Sequence, residues 1–264
     1  MPVAGRPENS PGRKGADGRS PARRLAGAQG RDEGTLTERA YHLIRADIMN
    51  ARLTAGQPLR LEGLRERYGL SFSPLREALN RLQTERLVIS SALRGFRVAD
   101  VSRAEMWDTI EARILVESNA LQRSIEQGDD DWEGSVLSAF HSLALCAKRL
   151  LADESLRTND ELEQLERRHR NFHSALISAC RSPWLIEFSA QLYAQTERYR
   201  RPHLSFGEGT WAFRDIAHEH ETIMKACLSR ETGEALKLLA DHYRRTGRFI
   251  ERSEDKVAAA DIAG

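Results

Sequence analysis

LRLEGLRERYGLSFSPLREALNRL, residues 59–82, contains two short helical patterns separated by a turn. The first pattern ends at Gly69, a residue type suited to the left-handed position that follows a helix. After a tight turn over residues 70–72, Ser73 is expected to cap a second helix with Pro74 in its first turn. The apolar residues of that helix recur at helical spacing, and they are Leu75, Ala78, Leu79 and Leu82. The stretch therefore predicts a helix-turn-helix.

The opposite face of the second helix is polar and partly basic, with Arg76, Asn80 and Arg81. In a helix-turn-helix, the second helix enters the major groove of DNA. Two short apolar runs, 88–89 and 96–98, then flank a turn at Gly95. They predict a small hairpin, so the module is expected to be winged.

The charge distribution agrees with DNA binding. The chain has 264 residues, which is long enough for two domains, and its formal net charge is +1. Residues 36–100 carry eleven Arg and seven Asp or Glu, whereas residues 101–264 carry six more acidic than basic side chains. The basic excess therefore lies on the helix-turn-helix half, as phosphate binding requires.

Cysteine usage and hydropathy indicate a cytoplasmic protein. Cys146, Cys180 and Cys227 are far apart and form no CxxC pair, which favours buried free thiols in a reducing compartment. No run approaches the roughly 18 apolar residues of a membrane span. The basic N-terminus has no apolar segment of a secretory signal.

Composition divides the chain into four segments. Residues 1–34 are rich in Gly, Pro, Arg and Ala and predict a disordered basic tail. Residues 35–100 form the predicted DNA-binding domain, whose first helix is expected over Thr37–Asn50. Residues 101–252 form a second domain, and residues 253–264 are expected to be a frayed tail.

The second domain is predicted to be entirely helical. Ser102 and Glu105 form a capping box that starts a long helix ending near Gly128. Helical patterns continue from there without strand-like alternation. The fold class is therefore mainly α, with a winged helix-turn-helix followed by an all-α bundle of six to seven helices.

Four histidines form a candidate metal site. His169 and His173 are spaced i, i+4 on one predicted helix, so both project from the same face. His220 and His242 lie on the last two helices and could meet that pair inside a bundle. Four imidazoles would suit Zn or another late first-row divalent ion. The alternative is that these histidines are ordinary core residues.

Catalytic motifs are missing from the sequence. It contains no GxSxG, no HExxH and no glycine loop that could cradle a phosphate. Arg113 and Glu117 form an i, i+4 pair of the kind that usually makes a surface salt bridge. A metal-dependent hydrolase that uses the histidines is the alternative to a DNA-binding regulator, and a pure interaction protein is a third hypothesis.

Several motifs, in order, resemble a known family. They are SFSPLREALNRL at 71–82, RGFRV at 94–98, RILVE at 113–117, HRNFHSALISAC at 169–180, EHETI at 219–223 and ALKLLADH at 235–242. The first part resembles the winged helix-turn-helix of GntR-type bacterial repressors. The second is similar to the FCD ligand-binding domain of the FadR subfamily. SPWL at 182–185 and ERYR at 197–200 are most similar to the CsiR branch, which comprises repressors of small-dicarboxylate catabolism.

The resemblance implies a homodimer that binds a palindromic operator in double-stranded DNA. It also implies a metal and a small carboxylate or dicarboxylate effector in the centre of the helical domain, with Arg113 as the expected effector ligand. Relatives usually hold the metal with one Asp and three His. His173, His220 and His242 match the His positions, whereas His169 stands at the Asp position. A metal-free pocket that binds its effector through His and Arg is the alternative.

Phe72 is a second departure, because many relatives carry Arg at this position. Phe cannot donate hydrogen bonds, so base reading would shift to other side chains of the turn and helix or to apolar contact with thymine methyl groups. The expected DNA-binding residues are Arg65, Ser71, Phe72, Ser73, Arg76, Asn80, Arg81, Arg94 and Gly95. Arg65, Arg81 and Arg94 are expected to contact phosphates, or else to be ordinary surface residues.

Overall fold

A computed structural model describes residues 21–91, 95–205 and 210–263. The described chain begins with α1 (Pro21–Met49), β1 (Pro58–Leu59), α2 (Leu61–Tyr68), α3 (Phe72–Thr84), β2 (Val88–Ser91) and β3 (Gly95–Val98). Six further helices follow: α4 (Arg103–Gln127), α5 (Asp130–Ala152), α6 (Asn159–Ile177), α7 (Pro183–Ser205), α8 (Thr210–Leu228) and α9 (Thr232–Ala263). A short 3-10 helix, Glu154–Leu156, joins α5 to α6. The predicted fold class, mainly α with a helical bundle after a winged helix-turn-helix, is confirmed.

The helix-turn-helix has the predicted order, but its second helix begins earlier. Gly69 ends α2 in the left-handed conformation, with φ 66°, and its N–H donates to the Arg65 carbonyl at 2.9 Å. The cap of α3 is Ser71 rather than Ser73. Ser71 makes no side-chain capping bond, because Pro74 stands at the third helical position and has no N–H to donate.

The wing contains one strand more than the predicted hairpin. β3 pairs antiparallel with β2 on one side and with β1 on the other, so the order is β1-β3-β2. Leu59 lies opposite Phe96 in this sheet and is itself buried. A strand of two residues has no alternating pattern, so β1 could not be predicted from the sequence.

Two predicted ends of helices are wrong. The first helix starts at Pro21 rather than near Thr37, and α9 continues to Ala263 rather than ending near residue 252. The first extension contains three Ala and three Arg, and the second contains four Ala. Adding a residue to an existing helix gains one hydrogen bond without a new nucleation cost. The part of the expected tail in residues 1–20 lies outside the described residues.

Each half has its own apolar core. In the first half, α1 packs on α3 around Ile44, Leu75 and Leu82, none of which is exposed. In the second half, α4 packs on α7 and α9, and α5 packs on α6 and α8. Gly247 allows the close approach of α9 to α4, because a Cβ there would lie 2.8 Å from atoms of Ile110 and Trp107. All three cysteines are free and buried, as predicted.

One helix bears on the expectation drawn from hydropathy. Among the described residues, α5 alone is long and apolar enough to cross a membrane by length and composition. Its apolar face packs in the core of the bundle, where Val136, Leu143 and Leu150 are fully buried. The apolar character of α5 is therefore used within the helical bundle.

Candidate functional site

Four histidines meet in the middle of the helical bundle. His169 and His173 come from α6, His220 from α8 and His242 from α9. All four are buried, and one ligand nitrogen from each lies within 4.8 Å of the others. The Nε2 atom of His173 lies 3.2 Å from that of His169 and 3.3 Å from that of His220. The structure thus brings together the histidines that the sequence suggested.

Three of the imidazoles are held through Nδ1. The Nδ1 atom of His169 lies 2.6 Å from the Tyr193 hydroxyl, and that of His173 lies 2.9 Å from the Tyr243 hydroxyl. His242 Nδ1 lies 2.7 Å from the Glu219 carboxylate. A carboxylate can only accept, so His242 carries its proton on Nδ1. A ring that carries its proton on Nδ1 presents its Nε2 lone pair to the neighbouring rings and to any ion between them.

Burial keeps three of these histidines neutral. It lowers the pKa of His169 and of His173 well below the usual value, and nearby Arg200 and Arg113 lower them further. The pKa of His242 is also lowered by burial, although hydrogen bonding to Glu219 opposes this. Neutral imidazoles are the form that binds metal.

The spacing of the cluster fits one small ion. Four nitrogens placed tetrahedrally about 2.0–2.1 Å from a zinc ion are about 3.3 Å apart. The two Nε2 separations of 3.2 and 3.3 Å agree with that edge. The donor set is uncharged, so a divalent ion would leave positive charge for an anionic ligand to compensate.

Arg113 and Glu117 lie beside the cluster and are buried, which corrects the expectation of a surface pair. Each is 1% exposed, and Arg113 Nε donates to Glu117 Oε1 at 2.7 Å. Glu117 also accepts from the hydroxyls of Ser189 and Tyr243. Tyr243 thereby links the Arg113–Glu117 pair to His173.

One nitrogen of Arg113 has no partner in the part of the chain that the structure describes. Nη1 donates to Thr196 Oγ1 at 2.9 Å, whereas Nη2 is buried without a hydrogen bond. A cavity adjoins it, lined also by Thr196, Arg200, His242 and Tyr243. Its volume is about 10 Å³, which suffices for about one water molecule.

The residues that support the histidines were not identified from the sequence. Glu117, Thr196, Tyr193, Tyr243 and Glu219 all belong to the hydrogen-bonded network. Tyr243 directly follows His242 in the sequence, and Glu219 directly precedes His220. This adjacency could have indicated that both residues lie near the cluster. Tyr193 and Thr196 have no such signal, because only packing brings α7 to the cluster. Another histidine of the helical domain, His141, is exposed on α5.

The DNA-binding candidates lie together at the start and along the outer face of α3. Ser71, Phe72, Ser73, Arg76 and Asn80 are all exposed there. Gly95 begins β3 with φ 69°, and Arg94 lies outside the described residues.

Two of the arginines have partners within the protein. Arg65, on α2, places its guanidinium 5.0 Å from the centre of the Phe72 ring. Arg81 binds Glu38 at 2.7 Å and lies 3.8 Å from the centre of the Tyr41 ring. Arg81 is therefore already engaged with α1, unlike Arg76, which forms no ion pair with any of the described residues.

Comparisons with known proteins agree with this architecture. Residues 36–98 match the model of "Bacterial regulatory proteins, gntR family", and residues 108–245 match that of the FCD domain. The HTH-type transcriptional regulator BphR of Paraburkholderia xenovorans is 38% identical over 79% of this chain and 82% of its own. The HTH-type transcriptional repressor GlaR of Escherichia coli is 33% identical, over 76% and 90%.

A solved structure has the same fold. The structure of E. coli McbR/YncC superposes with a TM-score of 0.67 and 18% identity, covering 83% of this chain and 98% of that one.

Proposed function

The chain belongs to the GntR family of bacterial regulatory proteins and carries an FCD domain, and on this premise we propose a repressor that releases its operator when a small carboxylate binds beside a metal ion. It is a DNA-binding transcriptional regulator and not an enzyme, since its domains and relatives are those of regulators. The hydrolase alternative has no support among them. We place the protein and its operator DNA in the cytoplasm.

The exposed face of α3 supports the proposal that this helix reads DNA bases. Arg76 and Asn80 are one turn apart on that face and have the donors that read guanine and adenine edges in the major groove. Phe72 offers apolar contact to a thymine methyl group. Arg65 is held against the Phe72 ring and is available to a phosphate or a base edge.

The four histidines, His169, His173, His220 and His242, would hold the metal, with Zn or another late first-row divalent ion as the expected species. Their buried, neutral nitrogens and their spacing support this assignment. When bound, such an ion would supply a positive centre that attracts a carboxylate. Tyr193, Tyr243 and Glu219 orient the imidazoles through Nδ1.

The observation that carries the effector proposal is the free buried nitrogen of Arg113. A buried donor without a partner is costly, and a carboxylate could satisfy it while facing the histidines. Glu117 already compensates the charge of Arg113, so the effector would be recognised by direct hydrogen bonding and by the metal. Small carboxylates and dicarboxylates fit both requirements.

The cavity beside Arg113 is too small for such a molecule without movement. It accommodates about one water, and its walls belong to α4, α7 and α9. A carboxylate can therefore bind only if these helices separate. Such binding would favour an opened arrangement over the closed one, which is the condition for a ligand to shift an equilibrium between conformations.

Helix α7 would carry that movement to the DNA-binding half. Thr196 contacts Arg113, while its neighbours on either side contact the first half of the chain. Gln195 donates to the carbonyl of Glu85, the residue that caps α3, and Glu197 accepts from Arg45 of α1 at 2.8 Å. Arg198 donates to the carbonyl of Ala99, next to the linker. Movement of α7 would thus alter three attachments at once.

An exposed apolar patch supports a homodimer. We define it as Trp184 and Phe188 on α7, which are 68% and 44% exposed and whose ring centres are 5.8 Å apart. Exposed apolar groups of this size usually mark an interface. A second copy of the chain is the expected occupant, because a two-fold symmetric dimer matches a palindromic operator.

Operator binding by an α3 variant tests the proposal. Operator sequences would be selected from random DNA with the full-length protein, and affinity would be measured by fluorescence anisotropy over a salt series. Arg76→Ala should lower operator affinity by about 1–3 kcal/mol, and the affinity of the native protein should fall steeply with salt. Arg167→Ala, an exposed Arg on α6, is the matched control. Equal operator affinity for both variants would refute the proposed reading face.

A second experiment addresses the metal and the effector. Purified protein should contain about one metal ion per chain, and His173→Ala should contain none. Thermal-shift screening of C4–C6 dicarboxylates and hydroxy acids should identify a stabilising ligand whose effect requires Arg113. If native protein and His173→Ala have equally little metal, the histidines are core residues.

A further inference from the structure

A second cavity lies at the junction between the DNA-binding half and the helical domain. One wall is apolar and comes from the first half of the chain, with Ile48, Leu53 and Val98. Arg198 and Pro202 of α7 form the opposite wall, and Val101 of the linker closes one side. The volume is about 130 Å³, far larger than that of the cavity beside Arg113. This junction cavity can therefore hold a small organic molecule without rearrangement.

Arg198 distinguishes the junction cavity from an ordinary apolar gap. It is 6% exposed and donates to the Ala99 carbonyl, yet no carboxylate lies within 4.0 Å of it among the described residues. The other arginines buried to this degree in α4 and α7 each have one. Arg113 binds Glu117 at 2.7 Å, Arg200 binds Glu166 at 2.7 Å and Arg201 binds Glu197 at 3.3 Å.

Nearby acidic groups do not neutralise Arg198. Asp100 binds Arg97 at 2.7 Å, and Glu254, on the cavity wall, binds Arg103 at 3.4 Å. Glu105 and Asp100 act on Arg198 only from beyond ion-pair distance, and burial lowers the pKa of its guanidinium. A buried charge without a counter-charge is costly, so an anion at this place would be favoured.

We propose that the junction cavity binds a small organic monoanion with an apolar body, whose carboxylate or similar head group pairs with Arg198. The apolar walls select a hydrocarbon tail, and the single unpaired guanidinium selects one negative charge. This ligand class differs from the dicarboxylate expected at the histidine cluster, and the inference does not depend on the metal.

A ligand there would touch both halves of the protein. Its tail would contact α1 and the wing, and its head group would contact α7. It would therefore stabilise the arrangement in which the two halves are docked, and by linkage it would change operator affinity. The protein would then respond to two chemically different small molecules.

Calorimetric titration of the full-length protein tests the inference. Isovalerate and cyclohexanecarboxylate serve as probes of two sizes, and isovaleramide and cyclohexanecarboxamide are their uncharged counterparts. At least one acid should bind and its amide should bind at least about tenfold more weakly. Arg198→Gln, which keeps a donor for the Ala99 carbonyl, should weaken acid binding by about tenfold or more. Arg168→Gln, which removes another arginine that donates to a backbone carbonyl, should leave it unchanged.

Val101→Phe provides a variant with low risk of misfolding, because Val101 is 47% exposed and the larger side chain would fill the cavity from its rim. It should abolish binding of the acid while circular dichroism and the melting temperature remain native. Absence of binding by both acids, equal binding of acid and amide, or retention of binding in Arg198→Gln would each overturn the inference. Equal loss of binding in Arg168→Gln would show that Arg198 has no specific role and would overturn it as well.

Discussion

Phe72 and Arg65 form a pair at the entrance of the recognition helix, and the pair suggests a role for an aromatic residue at this position. The ring and the guanidinium are 5.0 Å apart, within the range of a cation–π contact. At an exposed site such a contact contributes about 0.5–1 kcal/mol. Phe72→Leu keeps an apolar group for a thymine methyl but loses the ring. We expect operator affinity to fall about two- to fivefold, measured by fluorescence anisotropy.

An Arg65 variant distinguishes two ways in which the Phe72 ring could act, by orienting Arg65 or by contacting DNA directly. If the ring acts by orienting Arg65, Phe72→Leu should cost little in an Arg65→Ala background, and the double-mutant cycle should show coupling. Additive effects would mean instead that the ring acts independently of Arg65, through the DNA itself.

Glu219 allows the support of the histidine cluster to be tested without removing a histidine. Its carboxylate accepts from His242 Nδ1 at 2.7 Å. Loss of such a partner typically lowers metal affinity 10- to 100-fold. Glu219→Gln should therefore weaken Zn binding by about that factor in a competition titration with a chelator.

Glu221→Gln is the matched control, since Glu221 lies on the same helix and pairs at the surface with Lys225 at 2.6 Å. Its Zn affinity should equal that of the native protein. If Glu219→Gln binds Zn as tightly as this control does, Glu219 does not support a metal site.

At the scale of residues, the sequence predicted the members of the histidine cluster better than their surroundings. His169 and His173 are recognisable because helical spacing places i and i+4 on one face. Tyr193 could not be predicted, because its contact with His169 joins α6 to α7 and depends on how the bundle packs. The burial of Arg113 and Glu117 was missed for the same reason, since their i, i+4 spacing occurs equally on surfaces.

At the scale of elements, the positions of helices were predictable and several boundaries were not. Gly69 marks the end of α2 because a left-handed residue is required there. The start of α3 was misassigned because Ser71 and Ser73 are both good caps, and Pro74 is tolerated at any position of the first turn. β1 is defined only by pairing with β3, a contact between residues far apart in the chain.

Two glycines of α9 offer a test of helix packing. A Cβ at Gly247 would lie 2.8 Å from Trp107, whose ring is fixed by a 2.7 Å hydrogen bond to Glu251. We expect Gly247→Ala to destabilise the protein by about 1–3 kcal/mol, less the gain in helix propensity of up to about 1 kcal/mol. Thermal and urea unfolding would measure this change.

Gly233 is the matched control in the same helix, because nothing lies within 4 Å of a Cβ placed there. Gly233→Ala should be neutral or stabilising by up to about 1 kcal/mol. A Gly247→Ala protein as stable as Gly233→Ala would show that α4 and α9 do not require this close approach.

For the whole molecule, the exposed apolar patch predicts how the chain assembles. Phe188→Glu would bury a charge in the interface of the proposed dimer and should shift the protein to monomers in light scattering coupled to size-exclusion chromatography. Operator affinity should fall with it, since both half-sites would no longer be bound together. Leu145→Glu, on α5 and similarly exposed at 48%, should remain dimeric. Dimers of Phe188→Glu at the same concentration would assign the interface elsewhere.

The contacts between the two halves could not be predicted from the sequence. Its contacts connect residues about a hundred or more positions apart, such as Arg198 with Ala99 and Arg45 with Glu197. Charges at these positions look like any solvated helix face when read along the chain. Only the docking of α7 against α1 explains why Glu197 is fully buried.

That docking can be tested through Arg45, the only one of the three arginines on Glu197 that comes from the DNA-binding half. Glu197 also accepts from Arg170 at 2.7 Å and from Arg201 at 3.3 Å, so Arg45→Met leaves the buried carboxylate compensated. We expect the variant to fold but to lose part of the coupling between its halves. In calorimetry its unfolding should separate into two transitions, whereas the native protein should unfold in one or in two closely spaced transitions.

Operator DNA then identifies the transitions, because a ligand raises the melting temperature only of the unit that it binds. In Arg45→Met, DNA should raise the transition of the DNA-binding half and leave the other in place, whereas in the native protein both should move together. Arg52→Met is the control, since Arg52 binds Asp47 at 3.4 Å within the same half. An Arg45→Met protein whose two halves still melt together and respond together to DNA would show that α7 is not the connection, and the proposed route from Arg113 to α3 would fail with it.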